Sequence, residues 1–249
     1  MEYLQAFRRT FRGLWALLVR LSGRPGPFGG SQSYWEQRYR HGGDSGPGSY
    51  GKFATFKADF LNTFVARESI HSVIEFGCGD GNQLTLAKYP RYLGFDVSEA
   101  ALARCRQRFA NRPEMRFASL QDYRGETAEL ALSLDVVFHL VEDDVFEDYM
   151  RRLFASAARF VIIYSSDHDA PWNGSHVRHR AFSSWVAANL PGWERLQHVR
   201  NRYPYGGDYQ EGSFSDFHIF TSAARARHET PWYPTAPPRG ARQPSPGAG

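Results

Sequence analysis

Residues 73–81 read Val73-Ile74-Glu75-Phe76-Gly77-Cys78-Gly79-Asp80-Gly81. A short, mostly apolar run bounded by glycine predicts a buried strand, and it ends directly in a loop with glycine at every second position. Glycines at 77, 79 and 81 remove the Cβ atoms that would keep the backbone from turning sharply and approaching a ligand. The following segment is expected to form a helix over 81–88 whose unpaired N–H groups face the bound molecule. The spacing Gly-x-Gly-x-Gly does not meet the dinucleotide fingerprint Gly-x-Gly-x-x-Gly.

Working outward, Arg91-Tyr92-Leu93-Gly94-Phe95-Asp96 reads as a second short strand ending in a carboxylate, and Val97-Ser98-Glu99-Ala100 opens a helix with Ser98 as its N-cap. Asp96 lies 19 residues beyond Gly77. An acid at that point in a Rossmann-like sheet accepts hydrogen bonds from two ribose hydroxyls, the alternative being a solvated turn residue or a cap one position early.

With Glu75 two residues before the first glycine, this run resembles motif I of the class I S-adenosylmethionine-dependent methyltransferases. The resemblance extends over residues 34 to 221 and is of the small-molecule or glycan type. It implies an α/β fold: a Rossmann-like, mostly parallel sheet with a C-terminal antiparallel hairpin. It also implies S-adenosyl-L-methionine as cofactor, held by Glu75, Gly77, Cys78, Gly79, Gly81, Asp96 and Val97. Leu120 and Gln121 or Asp122 after the third strand would line the adenine, and Asp135 the tip of the fourth.

The strand and helix alternation supports that architecture. Strands are expected at 72–76, 91–96, 114–118, 129–135 and 159–164, with helices at 98–109, 143–157 and 180–189. Segments 193–200 and 213–221 would form the hairpin. Upstream, Tyr34-Trp35-Glu36-Gln37-Arg38-Tyr39 is a short aromatic helix, followed by a Gly/Ser-rich loop and a helix over 53–66. In the family such a segment serves as a lid, where Arg38 and Tyr39 would contact the methionine carboxylate; an ordinary packed helix is the other reading.

The 249 residues suit one globular domain with appendages. Residues 1–24 form a basic amphipathic helix, with Leu4, Phe7, Phe11, Leu14, Trp15, Leu18 and Leu21 on one face. Residues 25–32 are a linker, 33–222 the methyltransferase domain, and 223–249 a disordered tail rich in Pro, Gly, Ala and Arg. The first 24 residues carry +4 and the last 27 carry +3, so the total of +4 leaves −3 on the body. Basic charge confined to the ends is poor support for a nucleic-acid cleft, and no nucleic acid partner is expected. Two cysteines permit at most one disulfide, which favours a reducing, cytoplasmic setting. The N-terminal helix would place the protein peripherally at the inner face of an anionic membrane, or else pack on protein.

Chemistry is expected at Asp135 and His139, which follow the fourth strand and look like the motif IV region of small-molecule methyltransferases. The Asn/Asp-Pro-Pro-aromatic pattern of nucleobase N-methyltransferases is missing there. An imidazole titrates near neutrality, so His139 is the candidate general base for a hydroxyl, or else a histidine that bonds a backbone carbonyl. Arg178 and His179, in a basic stretch, are candidate contacts to an anionic substrate such as a phosphorylated or carboxylated sugar, with a solvated surface loop as the alternative. No metal site is expected. The function implied is methyl transfer to a hydroxyl or carboxyl of a small molecule or glycan; a catalytically inactive binding scaffold on the same fold is the alternative.

Overall fold

A computed structural model describes residues 28–173 and 176–222. The expected helix over 1–24 and the tail from 223 lie outside the described residues. Seven strands form one sheet: β1 (Val73–Phe76), β2 (Tyr92–Asp96), β3 (Met115–Ser119), β4 (Ala128–Leu134), β5 (Ala157–Ser165), β6 (Trp193–Val199) and β7 (Asp216–Ser222). Their order is β3-β2-β1-β4-β5-β7-β6. The first five run parallel, with Glu75 level with Gly94 on one side and Leu132 on the other. β7 then pairs antiparallel with both β5 and β6. The strand order reverses between β1 and β4, so a crevice opens beyond their carboxyl ends, where open α/β sheets bind ligands. This is the Rossmann-like fold of class I methyltransferases.

The helices are α1 (Ser31–Arg40), α2 (Gly51–Arg67), α3 (Glu99–Arg108), α4 (Asp143–Ala155) and α5 (Phe182–Asn189). They cover both faces, which explains why β5 reads as an unbroken apolar run. Phe160, Ile162 and Tyr164 pack with α2 residues Phe60 and Phe64 on one face. Val161 and Ile163 pack with Tyr149 and Leu153 of α4 and Phe182 of α5 on the other. Ser98 caps α3 as its sequence predicts, accepting from the Ala101 N–H at 3.2 Å. α1 starts at Ser31, whose N–H and hydroxyl both donate to Glu142 at the start of α4, at 2.9 and 2.6 Å.

The helix expected over 81–88 is replaced by a single 3-10 turn, Gln83–Leu86, after which Ala87 is extended. Side chains divert the chain here. Gln83 donates to the Ala54 carbonyl, and Asn62 of α2 both donates to the Leu86 carbonyl and accepts from the Lys88 N–H. Pro90 further opposes helical geometry at Tyr89. Anion binding at a helix N-terminus is therefore not how this loop meets its ligand.

Candidate active site

Two cavities meet at the carboxyl ends of β1 and β4. The first, of about 390 Å³, is lined by Glu75, Gly77, Cys78, Gly79, Asp96, Val97, Leu120, Gln121 and Asp135, bringing together all but one of the residues expected to hold the cofactor. The exception is Gly81, which lies off the cavity: a Cβ there would sit 2.9 Å from Cys105 Sγ and from the Phe109 ring. Its glycine serves the packing of loop on α3. Gly77 does serve the turn. Its φ is +86° and a Cβ would fall 2.4 Å from Val136 Cγ2, while the Gly77 and Cys78 N–H groups both donate to the Phe95 carbonyl at 2.7 and 3.0 Å. Asp122 is also displaced: its side chain is 70% exposed and faces Arg124.

Asp96 is buried at the tip of β2, with one carboxylate oxygen accepting from the Gly79 N–H and the other from the Ser98 N–H, both at 2.9 Å. Burial raises its pKa to about 6, and these backbone bonds oppose the rise. Glu75, also buried, accepts from the Tyr92 hydroxyl at 2.6 Å, and burial lifts it to about 7. A buried carboxylate able to accept further donors suits a vicinal diol, because hydroxyl hydrogen bonds favour the ionised form that desolvation penalises.

The second cavity, about 440 Å³, is lined largely by aromatic rings from α1, from the segment after β5 and from the loop before β7. Trp35, Ser45, Asp135 and His139 border both cavities. Asp135 adopts a left-handed conformation with φ +58°, which turns its side chain back under the seam. There Oδ2 accepts from Lys57 Nζ at 2.7 Å and Oδ1 from the Ser215 hydroxyl at 2.8 Å. Lys57 escaped the sequence reading although a signal existed: it sits within the apolar face of α2 marked by Phe53, Phe56, Phe60 and Phe64.

His139 stands at the same seam. Its Nδ1 lies 2.9 Å from the His176 carbonyl. A carbonyl only accepts, so Nδ1 carries the proton and Nε2 keeps a lone pair. The alternative role considered for this histidine is thus realised on one ring nitrogen and leaves the other available. Burial lowers its pKa to about 4, so the imidazole is neutral through the physiological range, which corrects the expectation of titration near neutrality.

The loop after α1 closes over the first cavity through contacts that sequence reading missed. Asp80 Oδ2 accepts from the Tyr50 hydroxyl at 2.6 Å and the Ser45 N–H at 3.2 Å, while the Asp80 N–H donates to Ser45 Oγ at 3.0 Å. Arg104 of α3 donates to the Gly43 and Tyr39 carbonyls, each at 2.6 Å. Arg38 is spent on Asp44 and lines the second cavity, whereas Tyr39 lines the first.

Arg178 and His179 do not form an anion site. The Arg178 guanidinium faces Asp143 and the Val141 carbonyl, at 3.0 and 2.9 Å. His179 is buried, bonded through Nδ1 to Ser166 Oγ at 2.6 Å, with its pKa lowered to about 4 by burial. Together with Arg180, which also pairs with Asp143, this stretch neutralises the acidic start of α4.

Residues 73–160 match the family model described as a methyltransferase domain. The mouse (Mus musculus) EEF1A lysine methyltransferase 4 is 32% identical over 91 residues, 35% of this chain and 34% of that protein, so the match spans about a third of the relative's length. Among solved structures, the N-methyltransferase NodS from Bradyrhizobium japonicum WM9, with S-adenosylhomocysteine bound, superposes with a TM-score of 0.61 at 17% identity, covering 78% of this chain and 99% of that one. The magnesium protoporphyrin IX methyltransferase of Synechocystis PCC 6803, also with S-adenosylhomocysteine, gives 0.54 at 14% identity, over 77% and 96%. Residues 73–160 are thus similar to a methyltransferase domain, and the proteins the chain resembles are named for chemically different acceptors.

Proposed function

We propose that this protein transfers a methyl group from S-adenosylmethionine to a hydroxyl oxygen of a small-molecule or glycan acceptor seated in the second cavity, with His139 as the base. S-adenosylmethionine would occupy the first cavity, with Asp96 holding its ribose hydroxyls and Val97, Leu120 and Gln121 its adenine. One observation carries the choice of base and acceptor atom. Of the four side chains at the seam, Asp135 is committed to its ion pair with Lys57 and to Ser215, Ser45 is held by Asp80 and Tyr39, and Trp35 only donates. His139 Nε2 supplies a neutral proton acceptor with no hydrogen bond to the described residues.

When bound, the cofactor would supply an electrophilic sulfonium methyl; the acceptor oxygen would take it with the C–S bond breaking, and His139 Nε2 would receive the hydroxyl proton. An alcohol oxygen gaining a methyl becomes an oxonium, itself a strong acid, so an imidazole of low pKa is base enough late in the step. Positioning supplies much of the remaining rate. A carboxylate acceptor is disfavoured because Lys57 and Arg38 are both paired within the protein. Those pairings argue equally against a nucleic acid backbone as the acceptor's carrier.

Calorimetry with S-adenosylhomocysteine, followed by transfer of labelled methyl to a panel of alcohols, amines and carboxylic acids, tests the reading. No cofactor binding would sink it. Cofactor binding with transfer to amines alone would move the acceptor to nitrogen, and binding with no transfer to any class would favour the non-catalytic scaffold.

A further inference from the structure

The second cavity combines three properties: no unpaired charge, a wall of aromatic rings around Trp172 set at steep angles to one another, and a rim of amide and hydroxyl groups. Its two charged side chains are neutralised within the protein, Arg38 by Asp44 at 3.0 Å and Asp135 by Lys57 at 2.7 Å. His176, stacked on Tyr34 with ring centres 4.5 Å apart, has its pKa lowered by burial and is neutral at physiological pH. A charged acceptor entering here would lose its hydration without a counter-charge to replace it.

The walls are organised around Trp172. Tyr209 and Phe214 each lie 5.9 Å from it, at interplanar angles of 70° and 62°. Phe214 in turn meets Phe138 at 4.8 Å and 85°. Rings locked edge to face make a corner with faces turned several ways, not a parallel slot. A slot suits a flat heterocycle, whereas a corner suits a puckered ring whose C–H groups project in different directions toward the electron-rich faces. Gln210 and Ser213 line the same cavity and provide donors and acceptors for hydroxyls.

We infer that the acceptor subsite is built for a neutral saccharide residue, packed in the corner formed by Trp172, Tyr209 and Phe214 and presenting one hydroxyl at the seam beside His139. The inference rests on the assignment of the second cavity to the acceptor and narrows it, replacing the anionic sugar expected from Arg178 and His179. Trp172 and Phe214 become specificity-determining residues.

The test uses the full chain saturated with S-adenosylhomocysteine and saturation-transfer NMR, with methyl glucopyranoside, methyl galactopyranoside and methyl rhamnopyranoside as probes and phenol, phenethylamine, glucuronate and adenosine monophosphate as comparators. At least one neutral pyranoside is expected to receive saturation through its ring C–H protons and to exceed the charged and flat comparators. Trp172→Ala and the milder Phe214→Leu are each expected to weaken that binding about five-fold or more, with the cofactor dissociation constant held within about two-fold. Absence of transfer to every pyranoside while S-adenosylhomocysteine still binds would overturn this inference alone, as would undiminished transfer in both variants or a preference for a charged or flat comparator. Failure to bind S-adenosylhomocysteine would remove the methyltransferase assignment beneath it.

Discussion

Lys57 Nζ and Asp135 Oδ2 form an ion pair 2.7 Å long between α2 and the end of β4, with the lysine side chain only 1% exposed. A buried pair contributes little net stability over apolar replacements, but breaking it strands a charge. Lys57→Met is expected to cost about 3 kcal/mol in urea denaturation. The double variant Lys57→Met/Asp135→Asn, which leaves no stranded charge, is expected to recover part of that loss. A double variant no more stable than the single one would show that packing, and not the unpaired carboxylate, sets the cost.

Asp96 is the second test. Asp96→Ala should weaken S-adenosylhomocysteine binding by about 10-fold or more, since the ribose hydroxyls lose a charged acceptor worth about 1.5–3 kcal/mol. Calorimetry on a folded variant decides it, and an unchanged constant would remove Asp96 from the ribose site.

The same carboxyl gives a pH signature. Asp96 and Glu75 have folded pKa values raised to about 6 and about 7, above their ordinary 3.8 and 4.5. The native state therefore holds more protons than the unfolded chain across that window. Stability of the ligand-free protein is expected to be greatest at its acid end and to decline as pH rises through it. Hydroxyl donors favour ionised Asp96, so cofactor binding near pH 6 should release a proton, seen as a binding enthalpy that varies with the ionisation enthalpy of the buffer. Buffer-independent enthalpies would show that no proton leaves.

His139→Ala is expected to lower turnover about 10²-fold while leaving cofactor affinity nearly unchanged. Because burial holds this imidazole at about 4, the wild-type rate should show no His139 titration between roughly pH 6 and 8 and should fall only toward pH 4. With cofactor saturating, so that Asp96 ionisation no longer limits binding, turnover that still climbs through roughly pH 6 to 7 would point to another base.

For the N-terminal 24 residues, the proposal is a peripheral anchor whose arginines contribute about 1 kcal/mol each at an anionic surface. The full chain should cosediment with anionic vesicles at low salt, and a chain starting at Ser31 should not. Equal behaviour of the two would remove the anchor proposal.

Legibility in the sequence followed how local the cause was. The glycine run, the apolar strands and Asp96 act through neighbours in sequence or a fixed strand offset, and the sequence reading placed them at the crevice. The segment 82–88 was misread because its fate depends on Asn62 and Gln83 reaching across to other elements. Arg178 was misread for the same reason: its partner Asp143 is 35 residues upstream, and a row of cations looks alike whether it faces a ligand or a helix start. The neutral state of His139 comes from burial, which no spacing encodes, whereas Lys57 was visible as a cation within an apolar stripe.

The loop from Gly43 to Tyr50 borders two chambers at once. Ser45 touches both, Gly48 lies so close to Asp135 that a Cβ would meet its Oδ2 at 2.8 Å, and the fastenings at Asp80 and Arg104 all belong to the cofactor half. A partition of this kind cannot swing away from one room without unroofing the other. The bonds that Ser45 and Tyr50 make with Asp80 therefore tie the mouth of the second cavity to the glycine loop of the first.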